Sequence, residues 1–184
     1  MQKKKSQSNW KRKLTQQEKT VCRQIKAQIK EKQKAKQGLT SDEITSTMSG
    51  VDNFIGCYAE DQLSNITFTS FPCFIIVNID SSNLPGSHWI TIRFDRKSIE
   101  VFDPAGFEIF NWSRIPCTLL NFIHKLTVSR QITLSSRLQS PKSHLCGFYC
   151  IFYVLYRNHH SLSQLSSLFT TDLSRNDRRL KNLL

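Results

Sequence analysis

Residues 140–157 read SPKSHLCGFYCIFYVLYR, and this stretch decides the fold. Up to His144 it is polar and contains a proline; from Leu145 it is apolar nearly all round for several helical turns. A surface helix shows one apolar stripe, so a segment apolar on every face reads as a central helix buried on all sides. Cys146 stands where the polar loop gives way to that helix. A thiol there meets N–H groups without intrahelical partners and the positive end of the helix dipole, both of which favour thiolate. Gly147, lacking a Cβ, leaves the backbone room for a substrate to approach. The alternative is a core cysteine like Cys150, one turn on. Cys146, Cys150 and His144 also offer three metal ligands, but the spacing suggests no fourth and no metal is assigned.

Working outward, FPCFIIVNID (71–80) is a short β-branched run that reads as a buried strand, and 81–87, with Pro85 and Gly86, as a loop. WITIRF and SIEVFD flank a turn at Asp95–Lys97, which predicts an antiparallel hairpin. With the turn centred between Asp95 and Arg96, His88 and Asp103 stand directly opposite; a slip of two leaves them diagonal on one face, because side chains alternate with period two. In either register a carboxylate reaches an imidazole. A carboxylate that accepts the Nδ1 proton leaves Nε2 to take a proton from a nucleophile, and it stabilises the imidazolium that results. A structural ion pair would read the same way.

Gln139, seven residues before Cys146, has an amide able to donate to the oxyanion formed when a thiolate attacks a carbonyl, beside the backbone N–H of Cys146. Alone it reads as a surface glutamine. The combination His…Asp…Gln-x6-Cys-Gly fills each role of acyl transfer through a thiol once. The remaining pattern gives a capping box at Thr40–Glu43, a helix carrying Leu119 to Leu126, a strand at QITLSS, and helices after Ser161 and over 172–184. The predicted fold is α+β: a small mixed β-sheet packed against a central helix with the catalytic Cys at its N-terminus, with additional C-terminal helices.

Charge divides the chain. Residues 1–40 hold 13 Lys and Arg against Glu18 and Glu31, which is +11 of the formal +12, while the rest is nearly neutral. Residues 1–38 are therefore read as a basic extension, disordered or helical, ahead of a domain over 39–184. Such a segment suits a polyanion, with Lys11, Arg12, Lys13, Lys30, Lys32, Lys34 and Lys36 as candidate DNA contacts; the alternative is a solvated tail or import signal. Its removal is expected to weaken DNA binding and leave cleavage of a short peptide nearly intact. The start lacks an apolar h-region and no run approaches the roughly 18 apolar residues of a membrane helix, so no membrane association is expected. The six cysteines read as buried hydrophobes plus one reactive thiol rather than a disulfide framework.

FIGCY (54–58), CFIIVN leading into GSHW (86–89), VFDPAGF (101–107), Gln139 with SPKSHLCGFYC, and LSRNDRRLKNLL (173–184) occur in an order that resembles the adenovirus protease (adenain) family, which adenoviruses and related virus-like mobile elements encode and which is related to the ubiquitin-like-protein peptidases. The resemblance covers residue 50 to the C-terminus. It implies His88, Asp103 and Cys146 as a triad, Gln139 as oxyanion donor and Trp89 stacked near the imidazolium. It also implies cleavage of viral capsid or core precursors at Gly-containing sites, no required cofactor beyond DNA as an activating polyanion, and work inside cells, in the host nucleus and the virion. Alternatives are a peptidase of ubiquitin-like modifiers and an inactive, basic DNA-binding scaffold of the same fold. Two features depart from the family. Asp103 stands where the adenoviral enzyme has Glu, and Val128 stands where that enzyme has the cysteine that binds its activating peptide. Met48-Ser49-Gly50-Val51 fits the family's cleavage pattern, making self-cleavage after Val51 a further expectation.

Overall fold

The computed structural model describes residues 10–106, 115–127 and 130–184. A 3₁₀ turn at Trp10–Lys13 leads into α1 (Gln16–Ala35), α2 (Ser41–Met48) and β1 (Phe54–Ala59). A second 3₁₀ segment, Glu60–Asn65, precedes β2 (Cys73–Asn78), β3 (Trp89–Phe94) and β4 (Ser98–Phe102). Then follow α3 (Cys117–Thr127), β5 (Gln131–Leu134), α4 (Cys146–Arg157), α5 (Leu162–Ser166) and α6 (Leu173–Leu183). The strands form one mixed sheet in the order β1-β2-β3-β4-β5, parallel at its two outer pairings and antiparallel at the two inner ones. This is the α+β architecture expected from the sequence.

Every residue of α4 from Cys146 to Tyr156 is buried. One sheet face covers it with Phe74, Ile76, Trp89 and Phe102, and α1, α2 and α6 close over the rest with Val21, Ile25, Ile29, Ile44, Met48, Leu180 and Leu183. The other sheet face packs Ile90, Ile92 and Phe94 against α3. Near the far end of α4, Glu100 of β4 accepts from Tyr153 Oη at 2.6 Å, Arg157 Nε at 2.9 Å and Arg93 Nη1 at 3.2 Å. A carboxylate is tolerated there because it is paired with two guanidiniums.

Local signals explain most boundaries. Thr40 Oγ1 accepts from Glu43 N and Glu43 Oε2 accepts from Thr40 N, closing the expected capping box at the head of α2. Thr15 and Glu18 form the same device on α1, a signal the sequence reading did not single out. In the hairpin, Asp95 N donates to Ser98 O at 2.8 Å, so the turn centres between Arg96 and Lys97. Thr91 then pairs with Phe102 and Phe94 with Ile99, the two-residue slip that leaves His88 and Asp103 diagonal. Strand β1 was not expected: FIGCYA has no alternation, and as the outer strand all six residues are half-buried. The expectations for Phe107 and Val128 lie outside the described residues.

Helix α1 separates its residue types by face. Val21, Cys22, Ile25 and Ile29 are buried, while Lys19, Arg23, Lys26, Lys30 and Lys34 are exposed. Trp10 packs edge-on against Phe152 with ring centroids 5.3 Å apart. Lys11 Nζ donates to Leu184 O at 2.8 Å, and Glu18, itself buried, meets His159 Nε2 at 2.7 Å just beyond α4. Residues of the segment before 39 thus supply part of the apolar cover of α4, a packing role that the reading as a basic extension did not include. Self-cleavage after Val51 is not favoured in the folded chain: Met48 and Val51 are core residues, not an extended exposed segment. Among the described residues no helix is long and apolar enough to cross a membrane.

Burying each large aliphatic of α1 contributes about 1.5–3 kcal/mol. Ile25→Ala is therefore expected to lower the unfolding free energy by about 2–5 kcal/mol, read from urea denaturation. A chain without residues 1–38 should lose most of its thermal stability. Unchanged melting of that truncated chain would show that α1 does not support the core.

Candidate active site

The segments that converge on the head of α4 are held by few but specific contacts. Gly86, with φ +83°, precedes His88; a Cβ there would lie 2.1 Å from Asn78 Nδ2, so only glycine fits. Backbone pairing continues to His88, whose carbonyl accepts from Ile79 N at 3.1 Å. Asp103 follows β4, fully buried, with its N–H bonded to Ser135 Oγ at 2.8 Å and its carbonyl accepting from the same hydroxyl. The turn after it brings Pro104 O to the N–H groups of Leu138 and Gln139, at 2.9 and 2.8 Å. Gly106 is required on this turn: φ is +79° and a Cβ would come 2.7 Å from Arg137 Cβ.

His88 and Asp103 meet as expected, at 2.7 Å, but through His88 Nε2 and not Nδ1. The register gives the reason. Asp103 lies diagonally across the hairpin, and the nitrogen farther from the backbone spans that gap. The ring also hydrogen-bonds with Cys146. Burial works against a charged imidazole, yet the hydrogen bonds to Asp103 and Cys146 and the attraction of both outweigh it, and the His88 pKa rises to about 9. Asp103 Oδ1 also accepts from Ala105 N at 2.8 Å, while Oδ2 is buried without a hydrogen-bond partner among the described residues.

Cys146 opens α4, and Leu145 before it provides no side-chain cap for the N–H groups of the first turn. Cys150 differs: it is fully buried, its Sγ donates to Trp89 O, and burial pushes its pKa well up. Gly147 sits in a tight place. A Cβ there would lie 3.2 Å from Leu39 Cβ and 3.3 Å from Trp89 Cδ1, so its missing side chain lets Leu39 and Trp89 pack onto the helix. Trp89, beside His88, donates its indole N–H to Leu39 O at 2.9 Å.

Gln139 is buried, and its Nε2 donates to Ser143 O at 2.7 Å, which leaves the second amide hydrogen uncommitted by that bond. The strand-to-helix loop is tied down by α6: Asn176 Nδ2 donates to Leu138 O, and Asp177 accepts from Ser140 Oγ at 2.8 Å and Tyr149 Oη at 3.0 Å. Ser135, Asn176 and Asp177 position the site, and sequence reasoning missed their roles because single polar residues in polar stretches carry no periodic signal.

His88, Gln139 and Cys146 open on one cleft of about 520 Å³, whose lining includes Lys32 and the segment from Gln37 to Thr40. Of the seven candidate DNA contacts, two are engaged within the chain, Lys11 with Leu184 and Lys32 with Glu43 at 2.7 Å; Arg12, Lys13, Lys30, Lys34 and Lys36 are exposed. A nucleophile-type thiol, an imidazole that holds a proton at neutral pH and an amide donor facing one cleft can together perform acyl transfer.

A sequence profile described as Adenovirus endoprotease matches residues 54–174. Among solved structures, the ASFV protease gives a TM-score of 0.51 at 19% identity, over 79% of this chain and 67% of that one. An AvrA deletion variant with IP6 and CoA gives 0.50 at 14% identity, over 88% of this chain and 67% of that one. The SUMO protease Ulp1 gives 0.33 at 19% identity, over 60% and 50%. At these identities the likeness to the first two is one of fold. No curated protein sequence matches the chain.

Because the folded pKa of His88 lies above the ordinary value of 6.5, the charged ring adds stability that is fully present below about 6.5 and is lost as pH rises through about 9. An NMR titration should place the His88 midpoint near 9, and Asp103→Asn should lower it. A midpoint near 6.5 in the unsubstituted chain would contradict the pairing.

Proposed function

The chain belongs to the adenovirus endoprotease family, and from that premise we propose that it is a cysteine endopeptidase in which Cys146 is the nucleophile, His88 the acid and base, Asp103 the group that orients the ring and Gln139 an oxyanion donor. The observation that carries this reading is the contact of His88 with Asp103 at 2.7 Å on one side and with Cys146 at the head of α4 on the other. The Cys146 thiolate adds to the peptide carbonyl, forming a C–S bond. Gln139 Nε2 and the Cys146 N–H donate to the oxygen that takes up the negative charge. As the tetrahedral species collapses the C–N bond breaks, and His88 gives its Nδ1 proton to the departing amine. Water, losing its proton to the ring, then adds to the thioester; the acid is released and the thiolate returns.

The proposed substrates are capsid or core precursor proteins of a DNA virus or a virus-like mobile element, cut at Gly-containing sites, in the host nucleus or the virion. A cleavage profile on precursor peptides against diglycine-ended ubiquitin-like modifiers tests that choice, and faster cleavage of the modifiers would replace it.

Cys146→Ala and His88→Ala are each expected to abolish cleavage, with Asp103→Asn less severe, since the first two do bond chemistry and the third holds the ring. Gln139→Ala should lower kcat by roughly ten- to a thousandfold with little change in KM. The rate should fall above about pH 9, where His88 loses the proton that the leaving amine needs. Cleavage that persists in Cys146→Ala would end this reading.

DNA is also proposed as a polyanion partner, supported by the exposed stripe of Lys19, Arg23, Lys26, Lys30 and Lys34 on α1. Neutralising about five phosphates gives a slope of about −4 to −5 in log affinity against log salt, and Lys30→Ala or Lys34→Ala should each reduce it by about one. Affinity for duplex DNA independent of salt would remove DNA as a partner.

A further inference from the structure

The cleft has a charge that the chemistry above does not use. Lys32, in the last turns of α1, lines it, and apart from the histidines Lys32 is the only ionisable side chain besides Cys146 among the described residues that do; no carboxylate is among them. Its side chain is 16% exposed, and Nζ donates to Glu43 Oε1 at 2.7 Å. Glu43 is itself anchored, because its Oε2 accepts from Thr40 N in the capping box of α2. An ammonium has three N–H groups and Glu43 takes one, so Lys32 is pinned at the cleft with donors to spare.

The chain that continues from α1 fixes this wall against the reacting groups. Leu39 O accepts from the indole of Trp89, next to His88, and the Leu39 side chain packs on Gly147, next to Cys146. A Cβ on Gly38 would stand 3.7 Å from the carbonyl oxygen of His144, two residues before Cys146, so the two walls come close together. At about 520 Å³ the cleft is of the size that holds a small ligand or a short piece of peptide.

We infer that the N-terminal extension is part of the substrate-recognition surface and that Lys32 selects peptides presenting a carboxylate side chain close to the scissile bond. The inference rests on the peptidase reading for its substrate class. A substrate carboxylate entering this wall gains charge-assisted hydrogen bonds from a partly desolvated ammonium, whereas the amide of the same shape gains only a neutral one. Glu43 competes for the same ammonium and so sets the strength of the preference.

The test uses pairs of fluorescent peptides, with Glu or Gln placed in turn at each position within three residues of the scissile bond. Affinity is read by anisotropy on the Cys146→Ala chain and kcat/KM on the chain with its cysteine. At one position Glu is expected to be favoured over Gln by about tenfold. Lys32→Met should bring that ratio close to one, and Lys32→Glu should favour a Lys peptide instead. Glu43→Gln, which keeps a capping residue at its position, should raise the ratio by releasing Lys32. Melting curves check that each variant folds, and the opposite signs expected from Lys32→Met and Glu43→Gln separate recognition from general damage. An equal Glu-to-Gln ratio with and without Lys32 overturns the assignment. Because binding to the Cys146→Ala chain needs no turnover, a Lys32-dependent preference without any cleavage by the unsubstituted chain would remove the peptidase reading and leave only carboxylate recognition at Lys32.

Discussion

The whole molecule is organised by the need to cover α4. A helix apolar on every face cannot lie on a surface, so it has to be enclosed, and the sheet closes only one side. The remaining faces are taken by α1, α2 and α6, elements drawn from both ends of the chain. Enclosure fixes the head of α4 in space and with it the thiol of Cys146. It also explains why the polar groups along the helix are satisfied by distant residues, Tyr149 by Asp177 and Tyr153 by Glu100.

At the head of that helix the balance of forces on His88 is set by competition. Burial penalises the imidazolium, and two anionic or potentially anionic neighbours repay more than the penalty. The pairing is held by the backbone around Asp103, clipped by Ser135 and linked through Pro104 to the Gln139 loop. Asp103, His88 and Gln139 are thus placed by one connected set of hydrogen bonds, and α6 holds the far side of the loop through Asn176.

The basic extension shows how composition conceals structure. Averaged over residues 1–40 it is a polyelectrolyte, with +11 of the net charge. Resolved by face, α1 is amphipathic: its apolar stripe joins the core, its cations point outward, and Lys32 stands at the edge between the two, over the cleft. One helix therefore takes part in stability, surface charge and the lining of the site.

The sequence by itself determined the elements whose signals are local: the all-round apolar helix headed by Cys146, the hairpin that carries His88 and Asp103, the capping box at Thr40, and the spacing of Gln139 from the cysteine. Each is written in residues near one another along the chain, where periodicity and turn chemistry act. The tertiary structure alone decided which imidazole nitrogen faces Asp103, because a two-residue difference in register leaves the alternation of side chains unchanged and is settled by the turn hydrogen bond of Asp95. It alone decided that Gly147 makes room for Leu39 and Trp89, that Asn176 and Asp177 hold the Gln139 loop, and that α1 belongs to the core. Those outcomes join residues as far as 173 positions apart, as Lys11 with Leu184, and no local pattern encodes a partner at that distance.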